Sequence, residues 1–377
     1  MIRYKILIVG GFRGAEFGVY GGVVRSCELL MRSNFTQVFD VTVVDSTQRA
    51  NPVPNVVKRI VYATVRMFVF FWRCLSDRPD GLLLFYSHGL SFFEKTLMGW
   101  IGRLLGSQVF LFPRAGVLME NSRQHWFNRN AVKILSQCGH VFLCQGKKWQ
   151  RFAINDLGFA AQKTHIVPNW TAEELFLDIG RSRSFGAWDG NVVRVMFMGW
   201  LEPEKGVREL LGSVQLVRSK GVAISLSILG CGSLDVEVRD FVVRHGLSDV
   251  VKLYGWVQNK KVIASIMKEH DIFVLPSWSE GLPNAVIEAM GTGLCAIITD
   301  VGVISDFFTD EKEALVIKPK SETELAKALE KLSKNKKLRQ KIGHSGYNLV
   351  SNKFAVEPAI NHLIEVISEE IANARKR

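Results

Sequence analysis

The sequence predicts an α/β protein made of two Rossmann-like, doubly wound parallel-sheet domains. Three observations carry that prediction. Short apolar runs of the kind buried on both faces of a parallel sheet alternate with helical patterns along the chain. The alternation breaks in a polar stretch near 168–190 and then restarts. A chain of 377 residues also suffices for two domains, each able to bury its own core.

The elements follow in order. KILIVGG is a strand running into glycines, and after Gly21-Gly22 a helical pattern puts Val23, Val24, Cys27, Leu30 and Met31 on one face. VFDVTVV is a second strand, followed by a basic helix and then by GLLLFY, which ends at Ser87-His88. Leu90 to Leu105 reads as a helix, and VFLFP and HVFLC as further strands. Beyond the polar stretch come strands at VVRVMFMG, ISLSILG, VVKLYG, DIFVLP and CAIITD, each followed by a helical segment. The expected domains are 1–170 and 190–355, with a final helix at 356–377. That helix carries Ile360, Leu363, Ile364, Ile367 and Ile371 on one face and is expected to pack back toward the first domain. Two such domains place a site in the cleft between them, at the C-terminal ends of the strands.

Composition narrows the class. With 47% hydrophobic and 22% charged residues, disordered, collagen-like and disulfide-scaffold chains are excluded. The six cysteines form no C-x-x-C pair and sit in apolar runs, as reduced buried thiols of a cytoplasmic protein do. MIRYKILIVGG reads as a strand and not a signal peptide, and the longest apolar tract, Ile60 to Leu75, is interrupted by Arg66 and Arg73. Net charge is +12, and residues 1–190 carry 23 Lys+Arg against 13 Asp+Glu. So basic a first half calls for an anionic partner. Arg59, Arg66 and Arg73 recur every seven residues on the basic helix, near Phe68, Phe71 and Trp72. Basic residues beside exposed aromatics suit a helix lying on an anionic membrane; the bland alternative is a core helix with a solvated basic edge.

The second half carries the chemistry. Ser277-Trp278-Ser279-Glu280-Gly281-Leu282-Pro283-Asn284 follows the strand DIFVLP and opens a helix that continues through Glu288. Pro283 suits the first helical turn, and the N–H groups around Leu282 and Asn284 would then point from a positive helix end toward a phosphate. Glu280 and Glu288 are eight residues apart, roughly 12 Å of rise if helical. That exceeds a glycosidase pair and suits a grip on both ends of an extended sugar nucleotide. Taken alone, such a pair is two exposed helix glutamates. It is accompanied, however, by Lys205 on the turn after VMFMG, where it can reach a phosphate. Gly230 and Gly232 in SILGCGS offer close backbone approach to a ligand, and Gly255 and Val257 end the next strand. All of these loops fall at the same edge of one sheet.

With FMGWLEPEKG, ILGCGS, LYGWV and above all SEGLPNAVIEAMGTG, the sequence resembles the GT-B glycosyltransferases of family 4, the retaining, nucleotide-sugar-dependent glycosyl transferases group 1. The resemblance is strongest from Val195 to Phe307; in the first half it rests on the glycine-containing first loop and the fold pattern. It implies a GT-B fold and a hexosyltransferase. Glu288 would hold the ribose hydroxyls and Glu280 the transferred sugar, while Lys205 and the amides of Gly281, Leu282, Pro283 and Asn284 would surround the diphosphate. Val257 would lie near the base, Gly230 along the donor, and Gly21 and Gly22 across the cleft. No D-x-D occurs in the chain, in agreement with a metal-independent enzyme whose Lys205 and helix dipole stabilise the leaving diphosphate.

Three departures stand out. Trp200 occupies the place of the family's arginine, for which Arg114 or Arg13 are substitutes. Ala115 occupies the place of a histidine, and His88 is the candidate to face the cleft instead. Gly302-Val303 replaces a double glycine, with Asp306 as the acidic residue after it. The expected activity is transfer from a UDP- or GDP-linked sugar, without metal or other cofactor, to a lipid-linked or cell-surface polysaccharide precursor. The protein would be cytoplasmic, peripheral on the inner face of the membrane, with no nucleic-acid partner. The alternative is a non-catalytic GT-B subunit that binds nucleotide sugar or docks on a membrane; an epimerase on the same fold is a third reading. A dehydrogenase is disfavoured, because Gly10-Gly11-Phe12-Arg13-Gly14 lacks the G-x-G-x-x-G spacing.

Overall fold

The computed structural model describes residues 3–13, 21–47, 55–87, 89–114, 116, 118–119, 126–183 and 192–376. The chain forms two compact units, Met1–Thr171 with Val356–Arg377, and Ala172–Ala355.

In the first unit the strands β1 (Lys5–Gly10), β2 (Asp40–Asp45), β3 (Gly81–Tyr86), β4 (Gln108–Pro113), β5 (Val141–Cys144) and β6 (Thr164–Ile166) form a parallel sheet of order β2-β1-β3-β4-β5-β6. The order reverses between β1 and β3. Helices α1 (Gly22–Arg32), α2 (Val56–Asp77), α3 (Leu90–Leu104), α4 (Trp126–Ser136) and α5 (Lys147–Asn155) connect them. The central strands β3 and β4 are buried at every position because both faces are covered; on one face Ile6, Ile8, Leu83, Phe85, Phe110 and Phe112 share one core cluster. Ile360, Leu363, Ile367 and Ile371 of the C-terminal helix (Val356–Arg375) join the same cluster. Polar contacts hold that helix as well: Glu370 pairs with Lys163 and His165, and Asn34 Nδ2 donates to Asn361 Oδ1 at 2.7 Å.

The second unit repeats the plan. Strands β7 (Val193–Met198), β8 (Ile224–Leu229), β9 (Val251–Gly255), β10 (Ile272–Leu275), β11 (Cys295–Thr299) and β12 (Leu315–Ile317) lie parallel in the order β12-β11-β10-β7-β8-β9, reversing between β7 and β10. Its helices are α6 (Glu174–Ser182), α7 (Val207–Ser219), α8 (Asp235–Arg244), α9 (Lys260–Glu269), α10 (Asn284–Gly291), α11 (Glu322–Lys334) and α12 (Lys336–Lys353); the C-terminal helix of the first unit is α13.

Two expectations need correction. The polar stretch read as a linker contains α6, which buries Phe176 and Leu177. Arg183 follows it and donates to the carbonyls of Thr292, His270 and Met267, tying the segment to the second unit. The helix was masked by the charged residues on its outer face.

The basic helix α2 is also oriented differently from the reading of its arginine stripe. At about 100° per residue, Val57, Val61, Val65, Phe68, Trp72 and Leu75 share one face and the arginines lie opposite. That apolar face is the exposed one, with Phe68 and Trp72 73% and 71% exposed. Arg66 instead turns inward to Glu94, at 2.7 Å. The helix packs inward through Phe70 and Cys74, while Arg73 on the basic stripe stays about half exposed. No helix among the described residues is long and apolar enough to cross a membrane.

Candidate functional site

Open doubly wound sheets bind ligands outside the carboxyl ends of the strands, where the strand order reverses. In the second unit that point lies between β7 and β10, and the loops leaving these two strands carry Lys205 and Glu280.

The two loops are held against each other. After β7 a short 3₁₀ turn, Pro203–Lys205, is closed by Gly206 at φ +69°. A Cβ at Gly206 would stand 2.1 Å from the Pro276 carbonyl oxygen, so only glycine permits this approach. Trp278 N donates to Glu204 O at 2.7 Å, and the Trp278 indole N–H to Glu209 Oε1 at 3.0 Å. The Thr299 hydroxyl donates to Ser277 O at 2.5 Å, anchoring the start of the loop to β11. Gly302 backs the other side, its Cα facing the carbonyls of Glu280 and Gly281. As a result Lys205 Nζ donates to Glu280 Oε1 at 2.6 Å, with the two side chains 22% and 14% exposed.

The helix behind this pair is α10. It begins at Asn284, with Pro283 as its N-cap residue and not inside the first turn. Helix therefore covers only the second half of the spacing from Glu280 to Glu288, and the all-helical rise does not apply. Gly281, Leu282 and Pro283 are buried, Asn284 is half-buried, and Glu288 lies inside the helix at 9% exposure.

The neighbouring strand ends are crowded by design of the backbone. Gly230 N donates to Gly255 O at 2.8 Å, and a Cβ on Gly230 would stand 1.8 Å from Gly199 O. This glycine admits a neighbouring strand end, whatever ligand lies beyond it. Across the same strand ends Trp200 and Trp256 stack, with centroids 4.8 Å apart and planes at 22°, next to Val257. Cys231, between Gly230 and Gly232, is half-buried, whereas the other five cysteines are buried.

The structure thus pairs Lys205 with Glu280 at one loop junction; residues 281–284 continue that loop into α10, Glu288 lies within the helix, and Gly230 and Val257 sit at the ends of β8 and β9. Gly21 and Gly22 belong to the first unit, where they open α1. His88 and Ala115 lie outside the described residues. Arg114 belongs to the first unit: its guanidinium lies 4.9 Å from the Phe112 ring centroid and 5.3 Å from that of Trp170, Nη2 donates to Ser26 Oγ, and Nη1 is buried without a hydrogen-bond partner among the described residues. Burial lowers its pKa to about 10, so it stays protonated at neutral pH. Arg13 is an exposed residue of the loop after β1. Sequence reasoning missed the parts played by Gly206, Thr299 and Trp256; only the glycine next to Lys205 carried a local signal.

Residues 178–349 match the family model of glycosyl transferases group 1. The chain is 27% identical over 167 residues to the capsular polysaccharide biosynthesis glycosyltransferase CapM of Staphylococcus aureus, covering 42% of this chain and 41% of CapM. It is 28% identical over 177 residues to the putative teichuronic acid biosynthesis glycosyltransferase TuaC of Bacillus subtilis (strain 168), covering 46% and 42%. The matched region thus spans less than half the length of these curated relatives. Among solved structures, Anabaena Alr3699/HepE in complex with UDP and glucose superposes with a TM-score of 0.70 at 15% identity, covering 97% of this chain and all of that one.

Proposed function

From residues 178–349, which belong to glycosyl transferases group 1, and from a chain with the GT-B fold, we propose that this protein is a retaining, metal-independent glycosyltransferase. It moves a sugar from a UDP- or GDP-linked donor to a lipid-linked or cell-surface polysaccharide precursor. The observation that carries this reading is the Lys205–Glu280 pair at the switch point, beside the start of α10.

The ammonium of Lys205 has three N–H donors. It can keep Glu280 on one and turn another to the donor's diphosphate, countering charge as the bond from the anomeric carbon to the phosphate oxygen breaks. Glu280, fixed by that lysine and by its loop, is placed to accept from the hydroxyls of the transferred sugar, and Glu288 from the ribose. The acceptor hydroxyl attacks from the face the diphosphate leaves; its proton passes to a phosphate oxygen, and the new bond retains the anomeric configuration. Val257 and the stacked Trp200 and Trp256 border the base. The relatives named for capsular and teichuronic acid biosynthesis support a polysaccharide precursor as acceptor.

The first unit supplies the membrane side of the proposal. It carries 24 Lys+Arg against 13 Asp+Glu, nearly all of the chain's net charge. The exposed apolar face of α2 is suited to the interfacial layer of an anionic membrane, on the cytoplasmic face.

The test is transfer from a panel of UDP- and GDP-sugars in excess chelator, with the product anomer read by NMR. Transfer with retained configuration supports the reading. Inversion contradicts the mechanism, and nucleotide-sugar binding without any turnover returns the non-catalytic alternative.

A further inference from the structure

The first sheet has its own switch point, between β1 and β3, and a cavity of about 910 Å³ opens there. That volume lies within the roughly 300–1,000 Å³ of small-ligand sites. Gly11, Thr47 and Ser87, beyond the carboxyl ends of β1, β2 and β3, reach it from the sheet. Its walls are α2 and α3, through Ile60, Ala63, Met67, Leu90, Phe93 and Leu97. Ile60, Leu90, Phe93 and Leu97 are each at least half exposed, so the apolar wall runs out to the surface.

The charges on this cavity do not balance. Glu94 accepts from Arg66 Nε at 2.7 Å and from Lys95 Nζ at 2.7 Å, and Lys95 is only 2% exposed. Two cations therefore share one carboxylate. Arg59 also lines the cavity and has no ion-pair partner among the described residues. Among the described lining residues the cations Arg59, Arg66 and Lys95 thus outnumber the carboxylate Glu94, although Asp45 also acts on Lys95, and charge taken out of water is costly without a counter-charge. An anionic group on an apolar chain satisfies both features, whereas a neutral lipid leaves the cations unmatched and a free sugar leaves the walls unused.

We propose that this cavity binds the phosphate end of an isoprenyl or alkyl phosphate, with the phosphate against Arg59, Arg66 and Lys95 and the first part of the chain between α2 and α3. The proposal rests on the lipid-linked acceptor reading and assigns the site that holds the lipid.

The test is calorimetric titration of the full chain with farnesyl phosphate below its critical micelle concentration, alongside farnesol and inorganic phosphate. Farnesyl phosphate is expected to bind saturably, one to one, and at least about tenfold more tightly than either. Ala63→Trp, which fills the wall, and Arg59→Gln are each expected to weaken it about tenfold or more. Arg59→Gln should leave farnesol binding unchanged, a split that a merely structural role would not produce. Equal binding of farnesol and farnesyl phosphate, non-saturable uptake, or full affinity in both variants would overturn the proposal. Titration with UDP and GDP separates the two readings: nucleotide binding without farnesyl phosphate binding refutes the cavity alone, and the reverse supports the cavity while refuting the donor site.

Discussion

Replacing Gly206 with alanine perturbs the site without touching a charged group. The residue sits at φ +69°, where an L-residue costs about 1–2 kcal/mol. Its Cβ would also lie 2.1 Å from Pro276 O, so the loop after β7 must retreat by on the order of 1 Å to reach ordinary contact. Lys205 is the preceding residue and moves with it. A displacement of that size costs roughly 100-fold in rate when it misplaces a catalytic group, about 2.7 kcal/mol of activation free energy. Gly221→Ala supplies the control, because Gly221 sits at φ +75° with nothing within 4 Å of its would-be Cβ. Both variants should lose melting temperature, by about 2–4 °C per kcal/mol in a unit of this size. Only Gly206→Ala should lose rate. Initial rates of sugar transfer and thermal unfolding on the same preparations decide the matter. If Gly206→Ala turns over like wild type, or if Gly221→Ala slows equally, the close loop approach is not what positions Lys205.

Further outcomes follow from the same geometry. Lys205→Ala should lower kcat by roughly 10²-fold with little change in KM; an unchanged kcat removes it from the chemistry. Trp256→Ala breaks the stack with Trp200 and should cost about 1 kcal/mol of stability beyond the lost area, while also weakening nucleotide binding; a wild-type nucleotide affinity separates the stack from the base. Val109 N donates to His140 Nδ1 at 3.0 Å, and burial, with Arg103 and Lys163 nearby, lowers the His140 pKa to about 4. Between pH 6.5 and about 4 the unfolded chain binds a proton that the folded chain refuses, so stability falls as pH drops through that window. Urea midpoints at both ends should show a smaller fall in His140→Gln; an equal fall assigns the acid sensitivity elsewhere.

Most of the architecture was legible because buried parallel strands are apolar on both faces and leave unbroken runs such as GLLLFY and DIFVLP. Strands β6 and β12 escaped because three residues each make no pattern. Helix α6 escaped because its apolar positions are set among charged ones. The seven-residue spacing of Arg59, Arg66 and Arg73 located one stripe of a helix, but could not tell which face meets solvent; Glu94, far along the chain, decides that Arg66 turns inward. The motif around Glu280 was readable from local order: strand, turn, proline, helix. The contact of Lys205 with Glu280 was not, since it depends on Gly206 meeting Pro276 across two strands. Likewise the packing of the Arg114 guanidinium against Phe112 and Trp170 leaves no mark in the local sequence, because Trp170 lies far along the chain.

The central claim is a metal-independent nucleotide-sugar site in the second unit, built on Lys205, Glu280 and Glu288. Its most direct test is calorimetric titration of the wild-type chain and of Glu288→Ala with UDP and with GDP, in excess chelator. The account predicts micromolar binding of one nucleotide to the wild type and a loss of about tenfold or more in the variant. Binding that requires a divalent ion, or binding of neither nucleotide, would contradict it.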